Sequence, residues 1–253
     1  MGEGKPIQWF PGHMAKSRRE IEKYLKQSDA VAEILDARIP QSSRNPDLDR
    51  IIGDRPRVVL LNKCDLADPV VTRGWLERFS GRCAGAAAVD SRSGRGLERF
   101  RPLMEQAAAG RIEAWKRKGM IGRRIRVLVL GIPNVGKSSL INRLSGNARA
   151  VVEDRPGVTR GSTWFPVGDQ FEILDTPGVL WPKFGDPSIG EKLAFTGAVK
   201  DEVVDTETLA CRLLEVLRES YARQLGRRYH LEEDLSGLRG YELLEKIGGK
   251  RGM

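Results

Sequence analysis

The sequence has few cysteines and histidines and no long apolar run, so it lacks what disulfide frameworks, metal–thiolate sites and membrane-spanning helices require. It has three cysteines, Cys64, Cys83 and Cys211, which are odd in number and far apart, and its two histidines are His13 and His230. These residues argue against a disulfide scaffold or a cysteine-ligated zinc site, exclude a multi-histidine metal site and fit a reducing cytosol. No apolar run approaches the roughly 18 residues that a spanning helix needs, and the first residues lack a secretory hydrophobic region. We therefore expect a cytoplasmic protein without a membrane partner.

Positive charge is what the sequence has in excess. The 253 residues include 43 Lys and Arg against 34 Asp and Glu, so the net charge is +9. Such a surplus points to a polyanionic partner, most often nucleic acid. Hydrophobic residues make up 40% of the chain, which is enough to bury a core and too much for a disordered chain.

Short β-rich runs alternate with helical stretches, which predicts a parallel sheet covered by helices. The expected strands are Val31–Leu35, Arg57–Leu61, Ala86–Val89, Arg126–Leu130, Ser162–Val167 and Phe171–Leu174. The expected helices are His13–Gln27, Gly96–Lys118 and Lys137–Leu144. The turn at residues 168–170, Gly-Asp-Gln, suits a hairpin, so one edge of this six-stranded sheet should be antiparallel.

Strand signals stop after about residue 200, where leucines recur at helical spacing. Leu209, Leu213, Leu217 and Leu225 fall on one face of a helix, and the leucines of residues 235–247 suggest a shorter one. We predict two domains. The first covers residues 1–195, including an N-terminal segment of residues 1–28, and the second is a small helical domain of residues 196–253.

A phosphate-binding loop lies between an expected strand and an expected helix. Residues 131–138, GIPNVGKS, match the G-x-x-x-x-G-K-[ST] pattern in the right context. Gly131 and Gly136 let the backbone wrap a phosphate without a Cβ clash, and the N–H groups at the helix start face the anion. Lys137 supplies a point charge and the Ser138 hydroxyl is a ligand for Mg²⁺. The candidate nucleotide-binding residues here are Asn134, Val135, Gly136, Lys137, Ser138 and Ser139.

A second motif, FEILDTPG at residues 171–178, is an apolar strand that ends in an acid. Asp175 can hold Mg²⁺ through water, and the Gly178 N–H can reach a γ-phosphate because no side chain blocks it. The Gly- and Pro-rich loop before this strand carries Thr159, which fits a switch that orders on Mg²⁺ and γ-phosphate. A plain turn is the alternative reading of that loop, and Thr163 competes for the role of Thr159.

The motif that indicates which nucleotide base is bound is Asn62-Lys63-Cys64-Asp65, which directly follows an expected strand. The Asp65 carboxylate can accept two hydrogen bonds from guanine, whereas adenine offers neither donor on that edge and leaves the carboxylate unpaired. Asn62 can reach the base or tie loops together, and the Lys63 stem can cover the base. Asp90 and Ser91, which close the next strand, would bring a backbone N–H to the guanine O6.

The order of these motifs is unusual. In Ras-like GTPases the phosphate loop comes first, whereas here Asn62–Asp65 precedes it in the chain. Residues 9–16, WFPGHMAK, residues 36–40, DARIP, and the phosphate loop together resemble the circularly permuted ribosome-biogenesis GTPases of the RbgA (YlqF) type. The resemblance implies an α/β fold, a six-stranded and mostly parallel P-loop GTPase sheet that is circularly permuted, with a small C-terminal all-α domain. Residues 96–118 and the following linker would join the ancestral termini.

The resemblance also implies site roles. Val179 stands where Ras-like enzymes place a water-orienting Gln, and a valine cannot orient water. The family's candidate for that role is His13, whose alternative role is to cap or pack the first helix. Asn134 matches the position that binds K⁺ in potassium-stimulated relatives. The catalytic candidates are therefore His13, Lys137 and Thr159, and the Mg²⁺ candidates are Ser138, Thr159 and Asp175.

In function, the resemblance implies a GTP-hydrolysing switch in late assembly of the large ribosomal subunit. GTP and GDP are the expected ligands, Mg²⁺ the expected cofactor and K⁺ a further candidate. The expected partners are the large ribosomal subunit or its precursor and its rRNA. The protein is expected to be a monomer and to contact the RNA through its helical domain. Turnover should be slow alone and stimulated by ribosomal particles. Family members continue beyond the segment at residues 249–252, so the helical domain is expected to be truncated.

Three other functions stay open at this stage. The first is a nucleotide-gated RNA- or ribosome-binding scaffold with negligible hydrolysis, which Val179 favours. The second is an ATPase, which Asn62–Asp65 argues against. The third is a GTPase of tRNA modification or metal transport, against which the lack of membrane segments and of a cysteine-based catalytic domain weighs.

Overall fold

The computed structural model describes residues 12–120, 122–146, 164–178, 186–199, 205–231 and 234–252, with side chains from residue 18 onward. Contacts divide the chain into two compact units, one of residues 8–185 and one that includes residues 186–253. The strands are β1 (Ala30–Asp36), β2 (Arg57–Asn62), β3 (Gly85–Ala88), β4 (Ile125–Leu130), β5 (Trp164–Val167) and β6 (Phe171–Leu174). The helices are α1 (Gly12–Leu25), α2 (Asp47–Ile52), α3 (Pro69–Ser80), α4 (Phe100–Arg117), α5 (Lys137–Ser145), α6 (Pro187–Phe195), α7 (Thr206–Tyr229) and α8 (Gly240–Arg251).

A six-stranded sheet forms the first unit, in the order β3-β2-β1-β4-β6-β5. Neighbouring strands are parallel except β5 and β6, which are antiparallel. The mostly parallel sheet with one antiparallel edge is therefore confirmed. The strand before the Asn-Lys-Cys-Asp motif, β2, precedes the phosphate-loop strand, β4, in the chain, yet only β1 separates them in the sheet. That arrangement fits the permuted order expected from the sequence.

The central strands are buried on both faces, as their continuous apolar sequences predict. All seven residues of β1 are buried, and helices pack on both sides of it. On one face, Leu25 of α1 and Ile52 of α2 pack against Val31 and Leu128. Further along the same face, Phe79 of α3 joins a second cluster built on β1 and β2, and α4 packs against the sheet on the opposite face. Burying side chains of this size stabilises the fold by about 1.5–3 kcal/mol each.

Three helices, α2, α3 and α6, were not predicted from the sequence. Two of them carry a start signal, an aspartate followed by proline. Asp68 accepts hydrogen bonds from the N–H groups of Val70 and Val71, at 2.8 and 3.2 Å, and Asp186 accepts one from Ser188 at 2.8 Å. An aspartate at the N-cap satisfies free helix N–H groups, and proline suits the first helical position. The short α2 lacks such a side-chain cap.

The predicted element ends differ from the observed ones by a few residues. Helix α1 ends at Leu25 rather than Gln27, and α4 begins at Phe100, after a short 3₁₀ helix, Leu97–Arg99. Gly96 does not belong to the helix because its backbone is left-handed, with φ of 81°, and packs so closely on the Ala88 carbonyl that a Cβ would clash. Strand β5 begins at Trp164, and the first two residues of its predicted range lie outside the described residues.

The second unit contains α6, α7 and α8. Its core is a leucine cluster centred on Leu243, which is fully buried. Helix α7 has one non-helical residue, Tyr221, with φ of −142° and ψ of 35°. Helix α8 begins at Gly240, whose Cα packs against the Cys211 backbone. Across the described residues, no helix combines the length and apolar character that crossing a bilayer requires.

The predicted domain boundary follows residue 195, whereas the contacts divide the chain after residue 185. Helix α6 therefore belongs to the second unit and not, as predicted, to the first. The reason is that α6 packs against α7, and Glu191 lies 3.9 Å from Arg212 of that helix. Helix α6 has neither the leucine spacing of α7 nor a strand signal, so the sequence alone could not assign it. The predicted domain functions stay predictions.

Candidate nucleotide-binding site

The predicted motifs meet at one edge of the sheet. Strands β2, β3, β4 and β6 are all parallel, and each is followed by one of the motif loops. Because the carboxyl ends of parallel strands share an edge, the four loops come together there, where open α/β sheets bind their ligands. We call this edge, formed by the loops at residues 62–65, 90–95, 131–138 and 175–178, the carboxyl edge.

The phosphate loop has the backbone shape that an anion cradle needs. Asn134 and Gly136 adopt left-handed conformations, with φ of 56° and 97°, and Gly136 is the N-cap residue directly before α5. A Cβ at Gly136 would strike the Asn62 side chain, and one at Gly131 would lie 2.6 Å from the Ile34 carbonyl oxygen. Both glycines are therefore required by close packing, in addition to any ligand.

Lys137 is folded into the loop that it belongs to. Its Nζ donates to the carbonyl oxygens of Gly131 at 3.2 Å and Ile132 at 2.8 Å, and the residue is 6% exposed. Burial lowers the pKa of Lys137 to about 8, and the negative charge of Asp175 opposes that shift. The loop therefore holds a buried ammonium that lacks a full countercharge among the described residues.

Asp175 stands at the end of β6, next to the start of α5. Its Oδ2 accepts a hydrogen bond from the Ser138 hydroxyl at 2.9 Å. Its Oδ1 is buried and has no hydrogen-bond partner among the described residues. Burial raises the pKa of Asp175, with Lys137 and Ser138 acting in the opposite direction. A buried carboxylate oxygen without a partner is costly, and with the adjacent hydroxyl it forms the oxygen-donor set that Mg²⁺ prefers.

Gly178 brings the loop after β6 onto the phosphate loop. A Cβ on Gly178 would lie 2.6 Å from the Pro133 Cα and 2.9 Å from the Ile132 carbonyl carbon. The Thr176 hydroxyl donates to the Val129 carbonyl at 2.7 Å, which fixes the start of this loop on β4. The Gly178 N–H therefore lies beside the phosphate loop, in the region where the sequence places it.

Asn62 ties three loops together. Its Nδ2 donates to the Val135 carbonyl at 2.8 Å, and its Oδ1 accepts from the Ser91 N–H at 3.0 Å and the Ser91 hydroxyl at 2.8 Å. The residue is 2% exposed. Of the two roles that the sequence allowed, reaching the base or tying loops, the structure shows the second. It also commits the Ser91 N–H to Asn62.

Lys63 reaches across to the phosphate loop. It is left-handed, with φ of 60°, and its Nζ donates to the Asn134 carbonyl at 2.6 Å. The same ammonium lies 3.5 Å from Asp36 Oδ2 at the end of β1. Asp36 also binds Arg38 through both carboxylate oxygens, at 2.8 and 2.6 Å, and this hydrogen bonding raises the pKa of Arg38. Asp65 is exposed beside this group, in the 3₁₀ helix Cys64–Leu66.

Sequence reasoning assigned no role to Asp36, although residues 36–40 carried part of the resemblance. The available signal was an acid at the tip of an apolar strand. β1 is paired in register with β2, so Asp36 stands opposite Asn62. The sequence could not show that the Asp36 carboxylate would lie beside the Lys63 ammonium.

The loop after β3 is shaped by its own aspartate. Asp90 accepts from the N–H groups of Arg92 and Ser93, at 2.9 and 3.3 Å, and from the Ser93 hydroxyl. The Ser93 hydrogen bond lowers the pKa of Asp90 most. Arg143 of α5 donates to the Ser93 carbonyl at 2.6 Å and packs on Gly94. Asp90 is thus a loop-shaping residue, and Arg143 is a loop contact that sequence reasoning missed.

The structure does not describe the side chains of three residues to which the sequence assigns a role. Thr159 and Val179 lie outside the described residues, and of His13 only the backbone, in α1, is described. Val135 is buried, and Ser139 is half-buried at the start of α5. The remaining predicted residues, Asn62, Lys63, Asp65, Asp90, Ser91, Asn134, Gly136, Lys137, Ser138, Asp175 and Gly178, all lie in the carboxyl-edge loops or at the start of α5.

The chain is similar to known proteins along most of its length. A family described as 50S ribosome-binding GTPase matches residues 126–230. "Ribosome biogenesis GTPase A" of Priestia megaterium is 47% identical over 247 residues, covering 97% of this chain and 85% of that protein. The protein of the same name from Thermotoga maritima is 30% identical, covering 98% of this chain and 82% of that protein. The crystal structure of GNP-bound YlqF from T. maritima aligns with a TM-score of 0.55 at 25% identity, covering 94% of each chain.

Proposed function

The chain belongs to the family of ribosome biogenesis GTPase A proteins, and from that premise we propose that it acts late in large-subunit assembly. It is a GTP-binding switch of ribosome assembly that hydrolyses GTP to GDP and phosphate. The assembly role rests on the relatives, and the observation that carries nucleotide binding is the contact between the two motifs. Asn62 and Lys63 donate to the adjacent carbonyls of Val135 and Asn134, so one guanosine nucleotide can span both loops.

The phosphate side of the site would act by positioning and charge neutralisation, which dominate phosphoryl transfer. Lys137 would exchange its two carbonyl partners for the terminal phosphates, and a phosphate anion would favour its charged form. The Gly178 N–H would donate to the γ-phosphate, and the bare Cα permits that approach. On the base side, Asp65 would accept two hydrogen bonds from guanine, while Asn62 holds the loops in register.

Mg²⁺ fits the pair Ser138 and Asp175. The unpartnered Asp175 Oδ1 and the adjacent hydroxyl supply oxygen ligands, and Thr159 is the proposed third contributor. The bound ion would neutralise charge on the transferred phosphate. K⁺ beside Asn134 is part of the same proposal, and it rests on the resemblance of this position to that of potassium-stimulated relatives.

His13 is the proposed water-orienting residue, because Val179 has no hydrogen-bonding group. We expect His13→Ala to leave GTP affinity unchanged and to slow turnover. Stimulated turnover equal to wild type would remove His13 from the mechanism. Ordering of the loop around Thr159 and of the segment after Gly178 would transmit the nucleotide state to the helical domain, which is the proposed contact with rRNA. Hydrogen exchange across residues 153–195 should then differ between a GTP analogue and GDP.

The function is tested with the purified chain in two steps. A fluorescent GTP analogue should be displaced by GTP and GDP and not by equal ATP. Phosphate release should be slow for the chain alone and faster with large ribosomal subunits, in a salt series that separates specific from polyanion binding. Equal competition by ATP would indicate an ATPase. Binding without hydrolysis, even with subunits present, would favour the scaffold alternative that Val179 suggests.

A further inference from the structure

The end of the sheet opposite the nucleotide site carries a dense group of cations. Residues 111–126 contain seven Lys or Arg and one acid, Glu113. Strands β1, β2 and β4 are parallel, so their first residues, Ala30, Arg57 and Ile125, lie along the same edge. We call the cations of residues 111–126, together with Arg55, the amino-edge surface. Every one of these residues belongs to the α/β unit.

The acids near this surface are too few for its cations. Buried Asp29 is shared by Arg111 at 3.3 Å and Arg123 at 3.8 Å, and its second oxygen accepts the Arg126 N–H at 2.9 Å. Glu172 is shared in the same way by Arg126, at 2.9 Å, and Arg124, at 4.0 Å. Each carboxylate therefore serves two guanidinium groups.

The remaining cations of this surface form no ion pair with an acid among the described residues. Lys116, Arg117 and Lys118 are exposed, and among the described residues none of them forms an ion pair. Burial and then the positive charge of nearby Arg111 lower the pKa of Arg55, and the negative charge of Asp29 acts in the opposite direction. Two cations in the last turn of α4 would be enough to complement the helix dipole. The surplus costs folding energy through mutual repulsion, unless an anion binds.

Aromatic rings fix the planes of two guanidinium groups. Arg123 lies over the Trp115 ring at 4.4 Å, and Arg126 lies over the Trp164 ring at 5.2 Å. Trp115 is buried, with 9% exposure, so packing fixes the ring on which the Arg123 guanidinium stacks. A guanidinium that is held flat offers its donors in a fixed fork, which suits phosphate oxygens.

We propose that the amino-edge surface binds the phosphate backbone of RNA, as a second contact that is separate from the helical unit. RNA is favoured over an anionic lipid surface because α4 turns its apolar side chains, such as Met104 and Trp115, into the core. Among the described residues of this segment, Met120 is the one large hydrophobic residue that is exposed, whereas membrane-surface helices bury an apolar face in lipid. The RNA would be that of the ribosomal particle, so this inference rests on the proposed function.

The test uses the full chain and two matched triple variants. The surface variant is Lys116→Gln, Lys118→Gln and Arg124→Gln, and the control variant is Arg50→Gln, Arg73→Gln and Arg82→Gln. Both lose three positive charges from the same unit, and none of the six residues belongs to the nucleotide site. The probes are a labelled 20-base-pair RNA hairpin and phosphatidylserine–phosphatidylcholine vesicles.

We expect the surface variant to bind the hairpin at least about tenfold more weakly than wild type. The slope of log affinity against log salt should fall by about two, because each lost phosphate contact removes about 0.7–0.9. The control variant should stay within about twofold of wild type, since its cations lie outside the surface. Vesicle binding should be equal in all three proteins, and GTP hydrolysis without RNA should be unchanged.

Equal losses in both variants would mean that charge acts diffusely and would overturn the proposal, as would a loss confined to vesicles. A wild-type chain that hydrolyses GTP but does not bind the hairpin would overturn it too, while leaving the GTPase function intact. A second measurement needs no substitution. RNA should slow acetylation of Lys116 and Lys118 in the wild-type chain several-fold, and equal rates with and without RNA would contradict the inference.

Discussion

The two edges of the sheet use charged residues in opposite ways. At the carboxyl edge the buried and half-buried charged residues have partners within the site. Asp36, Asp90 and Lys137 form hydrogen bonds within their own loops, and Lys63 and Asp175 form hydrogen bonds to the phosphate loop. At the amino edge, cations outnumber the acids beside them, and several project into solvent. The first edge is held together by contacts among its own residues, which suits the proposed binding of a small charged ligand. The second has the charge surplus expected of a surface that meets a large polyanion.

The largest effect should come from removing the buried ammonium of the carboxyl edge. Lys137→Ala should weaken GTP binding by about 100-fold or more, because it removes the positive charge between the terminal phosphates. Lys116→Ala, which removes an exposed ammonium at the amino edge, should change GTP affinity by less than about twofold. Fluorescent-nucleotide titration measures both. Similar losses in the two variants would show that net charge, rather than position, governs nucleotide binding.

The same lysine should make stability depend on pH in a defined direction. Burial lowers the pKa of Lys137 from 10.5 to about 8, so between these values the unfolded chain binds more protons than the folded one. Stability therefore rises with pH through this window. At pH 7 the nucleotide-free wild type carries a penalty of about 3 kcal/mol, which Lys137→Met relieves.

Urea unfolding at pH 7 and pH 10 measures this penalty. The stability advantage of Lys137→Met over wild type should shrink as the pH rises. The control is Lys116→Met, which shows how much of the change in unfolding free energy comes merely from losing one positive charge. A gap that stays constant between the two pH values would contradict the assigned burial of the ammonium.

Removing the hydrogen bonds by which Asn62 joins the loops should have a smaller effect, on the free energy of unfolding. Asn62→Ala removes the hydrogen bonds to Val135 and Ser91 and leaves buried partners unsatisfied, which should cost about 2–3 kcal/mol. Ser91→Ala removes the hydroxyl hydrogen bond and keeps the backbone one, so it should cost about 1 kcal/mol. Chemical unfolding gives both values, and competition between GTP and ATP shows whether guanine selectivity falls in parallel. Equal costs for the two variants would mean that the contacts of Asn62 with the Val135 carbonyl and the Ser91 N–H add nothing.

How much of this could be predicted follows from the range of the interactions involved. Four of the strands were predictable because they are nearly continuous apolar runs, and the phosphate loop because its spacing is fixed by local backbone geometry. The helices α3 and α6 carried the Asp-Pro start signal and could have been found. The Asp36–Lys63 ion pair and the Arg143–Ser93 contact could not, because they depend on side-chain directions across loops that are distant in the chain. The lowered pKa of Lys137 likewise depends on burial, which the motif does not encode.

The smallest expected effect lies at the amino edge, and its sign matters more than its size. Removing three of its cations in Lys116→Gln, Lys118→Gln and Arg124→Gln should raise the melting temperature by roughly 1–3 °C, because repulsion is relieved and few contacts are lost. A residue kept for folding should destabilise when replaced, whereas a residue kept for binding can stabilise the free protein. Scanning calorimetry at low salt gives the shift, and added salt should reduce it through screening. A fall in melting temperature would assign these cations to the fold and would erase the contrast between the two edges.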